Sequence, residues 1–245
     1  MVVQTGNPMI TVIGRGHSGT RAISHTLSAS GVFMGETLNR SGDLVPPEDI
    51  YEACRVMARY VAFDGGFAWD FSKLHTMPID PAFTRLVESY LATVLSSERE
   101  WRGWKIPETT LIFPWIVRMF PENHYIYWIR DPRDSILGRH ITDDLARFGI
   151  PGDHSEDVYQ QRVASWKYQY EIIRATPPPA RFLPLRFEDF VLDQDATLEK
   201  LHAFLGIKVA KIEVRSDSVG RWRKAEAPID WSLFSRELTD YGYGD

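Results

Sequence analysis

A single cysteine, Cys54, stands among 245 residues. No intrachain disulfide can form and no cysteine-rich metal site can be built, so a reducing compartment is compatible with folding. Long apolar runs are missing too: no window reaches the roughly 18 consecutive apolar residues of a membrane span. Residues 1–8, MVVQTGNP, lack the basic start and apolar stretch of a secretion leader, and the expected location is the cytoplasm. Charge of one sign is scarce. The formal net charge is -5 with no block of like charges, which excludes an overall cationic field for nucleic acid. Anions must be held by local clusters. Repeats and low-complexity tracts are absent, and the turn-rich stretches GDLVPP (42–47), DGG (64–66) and TPPPA (176–180) separate elements rather than domains.

What is present suits one α/β domain covering residues 1–245: 44% of the chain is apolar and 25% charged, enough to bury a substantial core. Eight tryptophans and ten tyrosines are mainly core material, with a share available to a flat or sugar-like acceptor. The β-branched run at 9–13 ends at Gly14 and reads as a buried parallel strand, followed by a helix over about 20–30. Ile50, Cys54, Met57 and Val61 recur at helical spacing, as do Leu86, Tyr90 and Val94. A strand is expected at 101–106, a helix along Leu111, Ile112, Trp115, Ile116 and Met119, and a buried strand at 124–129. Tyr159, Val163, Trp166 and Tyr170 outline a longer helix. Residues 181–187 read as a strand, and Leu198, Leu201 and Leu205 as a last helix stopped by Gly206. Strands alternating with helices imply a parallel sheet.

Between the first strand and the first helix stands Gly14-Arg15-Gly16-His17-Ser18-Gly19-Thr20-Arg21. Glycines let backbone approach phosphate oxygens, and the free N–H groups and dipole of a helix start attract an anion. Ser18 and Thr20 add hydroxyl donors; Arg15 and Arg21 add charge. The usual nucleotide loop, G-x-x-x-x-G-K-[ST], has a lysine after its second glycine, whereas Gly19 is followed by Thr20-Arg21. No downstream acidic strand end offers itself for the Mg²⁺ of ATP or GTP hydrolysis, and a metal-independent nucleotide donor fits better.

Together with three later segments, this loop resembles that of PAPS-dependent sulfotransferases. His17-Ser18-Gly19-Thr20-Arg21-Ala22 is similar both to the K-S-G-T-T-W of cytosolic members and to the K-G-G-T-R-A-L-L-E of heparan sulfate 3-O members. Arg130-Asp131-Pro132-Arg133-Asp134 looks like the family's R-[DN]-P-x-D after a strand, Leu185–Phe190 with Leu201–Gly206 like its Y-E-D and F-L-G pieces, and Arg215–Trp222 like its late R-K-G-x-x-G-x-W. The resemblance implies a three-layer α/β sandwich with a central parallel sheet, of the P-loop NTPase-like sulfotransferase type. It implies PAPS (3′-phosphoadenosine 5′-phosphosulfate) as donor, PAP (adenosine 3′,5′-bisphosphate) as product and no metal. Arg15, Gly16, His17, Ser18, Gly19, Thr20 and Arg21 would then hold the 5′ end, Arg130 the 3′-phosphate, and Phe187 would face the adenine. Arg215, with Arg221 and Arg223, would close over the 3′-phosphate.

Two family positions differ. His17 replaces the loop lysine that neutralises the departing sulfate, leaving that task to a protonated His17, to Arg15 or to Lys105. Gly138 replaces a serine that contacts the 3′-phosphate, for which Ser135 or Arg139 could substitute. For the base that takes the acceptor proton, the 3-O pattern carries a glutamate onto His25, which shares a helix stripe with Arg21. In the cytosolic K-x-H pattern the matching residues are Lys105-Ile106-Pro107, where proline cannot serve; Glu108 is the second candidate. His75, His124, His140, His154 and His202 lack metal-ligand spacing and are expected in structural roles. The expected acceptor is a glycan or other small hydroxylated molecule, less readily an amine, met by the segment between about 34 and 80. Two alternatives stay open: a nucleotide-dependent kinase on the same chassis, and a non-catalytic PAP or nucleotide binder.

Overall fold

The computed structural model describes residues 8–244, so seven of the eight residues read for a leader lie outside them. Four strands, β1 (Ile10–Ile13), β4 (Gly103–Lys105), β5 (His124–Ile129) and β6 (Phe182–Arg186), form one sheet in the order β4-β1-β5-β6. All three pairings are parallel. A two-stranded antiparallel ribbon, β2 (Ala62–Gly65) and β3 (Ala68–Asp70), stands apart, turning at the DGG signal.

The two-residue period of the strands sorts side chains onto two faces. Ile10 and Val12 of β1, Ile126 and Trp128 of β5 and Leu185 of β6 pack one way. They meet Ile23 and Leu27 of α1 (Thr20–Ala29), Phe190 of α9 (Phe187–Leu192) and Leu201 and Leu205 of α10 (Gln194–Leu205). Met9, Ile13, Trp104, Tyr125, Tyr127 and Ile129 pack the other way. Over them lie α2 (Glu48–Ala58), α4 (Pro81–Tyr90), α6 (Phe113–Met119) and α8 (Val158–Ala175), with the short α3 (Ser72–Thr76), α5 (Ala92–Leu95), α7 (Pro132–Ser135) and α11 (Ser235–Asp240) completing the set. Helices on both faces of a parallel sheet make the three-layer α/β arrangement expected from the sequence.

The differences are local. The helix stripe beginning at Leu111 is entered by a 3₁₀ turn, Pro107–Ile112, because Pro107 and Pro114 constrain its start. Leu91 interrupts the run from Leu86 to Val94, splitting it into α4 and α5. Phe187 opens a helix rather than closing a strand.

Candidate active site

Because the four strands are parallel, their carboxyl ends share one edge of the sheet, the place where α/β proteins bind ligands. A cleft of about 580 Å³ opens there. Each strand contributes where it ends: β1 the glycine loop, β4 Lys105, β5 Arg130 and β6 Phe187. Of the residues singled out in the sequence, Gly16, His17, Gly19, Thr20, Arg21, His25, Lys105, Arg130, Phe187, Arg215 and Arg221 line it.

The loop turns into α1 at Gly19, whose φ of 80° is costly for any residue with a Cβ. No side chain caps that helix start, so its first N–H groups have no capping oxygen, and Gly19, Thr20, Arg21 and Ala22 line the cleft. A Cβ at Gly19 would sit 2.4 Å from the Phe187 ring, and one at Gly16 would sit 2.1 Å from the His140 ring. Both glycines thus admit an aromatic ring directly against the loop. Behind it, Gly14 N–H donates to Thr110 Oγ1 at 2.9 Å.

Arg130 braces the loop from β5: its Nη1 donates to the His17 carbonyl at 2.9 Å, and its guanidinium lies 4.6 Å over the Phe187 ring. It also donates to the Ser218 carbonyl, which ties it to the late segment that the sequence places over the nucleotide. Asp134, buried, accepts from Gly220 N–H at 2.7 Å and Trp222 N–H at 2.8 Å. The second carboxylate of the R-D-P-R-D motif therefore seats the segment carrying Arg215 and Arg221, a role that the spacing gave no sign of.

Several expected contacts fall elsewhere. Arg15 is turned away from the cleft and buried against Asp143, because a guanidinium under the loop needs a carboxylate partner there. Ser18 is buried on the loop's inner side. Ser135 is fully buried with its Oγ near the Pro132 carbonyl, since it lies on the inward side of the one-turn α7. It cannot replace the missing serine at 138 without moving. Arg223 is exposed, its guanidinium 4.8 Å over Trp222, outside the cleft. Glu108, the second candidate base, is not in the cleft lining: it is 1% exposed, with Oε2 lacking a partner. Burial pushes its carboxyl up to about 7.

His17 adopts φ 62°, and its Nε2 meets the Arg139 carbonyl. A Cβ at Gly138 would lie 2.5 Å from His17 Nδ1. The two departures from the family pattern are one packing event: the imidazole occupies the room that a side chain at 138 needs. Burial, opposed by the bond to Arg139, holds His17 below the usual histidine range.

Lys105 Nζ donates to the Ser41 carbonyl at 2.7 Å and pairs with Asp43. Burial lowers its ammonium's affinity for the proton, and Asp43 opposes that shift. Ser41 and Asp43 come from the turn 39–43, held by Asn39, whose side chain accepts from Ser41 N–H at 2.8 Å and donates to Asp43 at 2.9 Å. Gly42 packs beside Ser24 and His25 of α1. His25 is exposed and lines the cleft at this same end. Asp43, Ser41 and His140 are lining residues that no motif announced.

The Sulfotransferase family matches residues 8–211 of the chain. Among solved structures, a sulfotransferase domain from the curacin biosynthetic pathway superposes with a TM-score of 0.61 at 14% identity, covering 97% of this chain and 98% of its own. The sulfotransferase domain of the Synechococcus PCC 7002 olefin synthase gives 0.60 at 13%, covering 100% and 98%. At such identities the likeness is one of fold. Comparison with curated proteins gives no match. With the family matched over most of the chain and the loop, Arg130 and Phe187 gathered on one cleft, the chain belongs to the sulfotransferase family.

Proposed function

We propose that the chain transfers the sulfuryl group of PAPS to a hydroxyl of a carbohydrate or other small hydroxylated molecule, releasing PAP. The observation that carries this reading is the single cleft in which an uncapped helix start, Arg130, Arg215 and Arg221 converge beside the Phe187 ring. That is three guanidinium groups and a row of amides for a multiply charged anion, with an aromatic face for a base. In the transfer the sulfur–oxygen bond to the phosphate breaks, a bond to the acceptor oxygen forms, and the acceptor proton leaves to a base. Charge spreads over the sulfonate and the leaving phosphate, so preorganised donors speed the step.

His25 is our choice of base: it is exposed at the Lys105 end, whereas Glu108 is sealed from the cleft. Lys105 is our choice for the charge on the departing oxygen, because Arg15 is committed to Asp143 and burial favours a neutral His17. Freeing Lys105 from Asp43 would accompany donor binding. Incubation of the protein with labelled PAPS and a panel of hydroxylated acceptors tests the reading. Transfer, or slow hydrolysis without acceptor, is expected; a protein that binds PAP yet does neither is a binder and not this enzyme.

A further inference from the structure

The strand order gives the cleft two ends. Over β5 and β6 lie Arg130, Phe187 and Arg215; over the β4 edge lie Lys105, Asp43 and His25. His140 reaches back across the loop from beyond α7. It lines the cleft with its ring against Gly16, in the loop that would hold the phosphosulfate, and so stands where transfer would occur.

Its tautomer is set by Thr142. Thr142 N–H donates to His140 Nδ1 at 3.2 Å, and Thr142 Oγ1 lies 2.9 Å from the same nitrogen. With that lone pair engaged, the proton of the neutral ring sits on Nε2. No group among the described residues makes a hydrogen bond to Nε2. The His140 backbone N–H donates to Asp143 at 2.7 Å, and Asp143 is the partner of Arg15 in the loop, so the turn that carries the ring is tied to the loop. Burial, then the repulsion of Arg15, push the imidazole down to about 3. A ring that stays neutral and has its acceptor nitrogen occupied cannot take the acceptor proton.

We propose that His140 is a fixed, uncharged hydrogen-bond donor of the transfer end, presenting Nε2–H to the sulfonate oxygens of the donor substrate while His25 handles the proton. This rests on the reading of the cleft as a phosphosulfate site. A neutral donor suits that place: it supports dispersed negative charge without adding a cation beside Lys105.

His140→Phe keeps a ring on Gly16 and removes the donor; His140→Gln restores an N–H without the ring. The phenylalanine variant is expected to lose about 100-fold in kcat with PAP affinity within about twofold of the parent, and the glutamine variant to recover most of that loss. The pH profile of kcat should keep its shape in both. In the unaltered protein, ¹⁵N NMR of the histidines should show His140 as the neutral Nε2–H form from about pH 5.5 to 8, a readout independent of whether either variant folds. Parental kcat in His140→Phe, glutamine no better than phenylalanine, a lost acidic limb, or a protonated His140 near pH 6 would each overturn the assignment while leaving PAP binding intact. Absence of PAP binding by the unaltered protein would instead overturn the reading beneath it.

Discussion

At the residue scale, two candidate bases are separated by where they stand. His25 lines the cleft and Glu108 is buried outside its lining. His25→Ala is expected to lower turnover by about 10² to 10⁴ with little change in PAP affinity, whereas Glu108→Gln should stay active. Steady-state kinetics with PAP titrations on both variants checks this, and the reverse ranking would exchange the roles. Glu108 has its own signature in stability. Its carboxyl is raised from 4.5 to about 7, so the folded chain holds a proton that the unfolded chain releases between those values. The stability this lends is complete below about pH 4.5 and is lost as pH rises through about 7. Glu108→Gln should therefore raise the melting temperature by several degrees more near pH 8 than near pH 5, a difference on the order of 2 kcal/mol. An equal effect at both pH values would mean that the carboxyl is ionised throughout. Gly138→Ser, which brings in the family's residue, puts a Cβ on His17 and should cost about 1 to 3 kcal/mol. His17→Ala should relieve that cost, and a thermal double-mutant cycle showing no coupling between 17 and 138 would contradict the packing.

At the element scale, the glycine loop is held by what lies behind it. Arg15 pairs with Asp143, which also accepts from His140 N–H, so one buried carboxylate couples the loop to the turn 140–143. Asp143→Ala leaves a guanidinium buried and unpaired, and should destabilise the fold by about 3 to 5 kcal/mol. Melting by circular dichroism reads it; a loss below about 1 kcal/mol would mean that Arg15 finds water or another partner. The strands and long helices could be read from the chain because burial on one or both faces imposes its period on each: the run at 9–13 and the stripe from Tyr159 to Tyr170 are examples. Short elements carry too few turns to show a period. That is why the ribbon β2–β3, α7 and the split after Leu91 escaped notice. The cleft was legible where a motif names its chemistry, as at Gly16, Gly19, Thr20, Arg21 and Arg130. It was not where neighbours in space decide. Arg15 reads as a phosphate ligand in the sequence but pairs with Asp143; Ser41 and Asp43 fall in the 34–80 segment expected at the acceptor, yet no local pattern singles them out, and none singles out His140.

At the scale of the whole molecule, three layers bring four strand ends, a helix start and the segment 212–221 to one edge of the sheet. The central claim is that this edge binds a nucleotide bearing phosphate on both sides of its ribose, without help from a metal. A ligand bound only by the folded chain raises its stability by about 2.7 kcal/mol at 100 times Kd, so PAP should protect the fold as well as bind it. The most direct measurement is calorimetric titration of PAP into the metal-free protein and into Arg130→Ala, with Mg-ATP as the competing ligand. The account predicts one PAP per chain, affinity weakened by about 1.5 to 3 kcal/mol in the variant, and no displacement by Mg-ATP. Binding of Mg-ATP with no measurable affinity for PAP would contradict it.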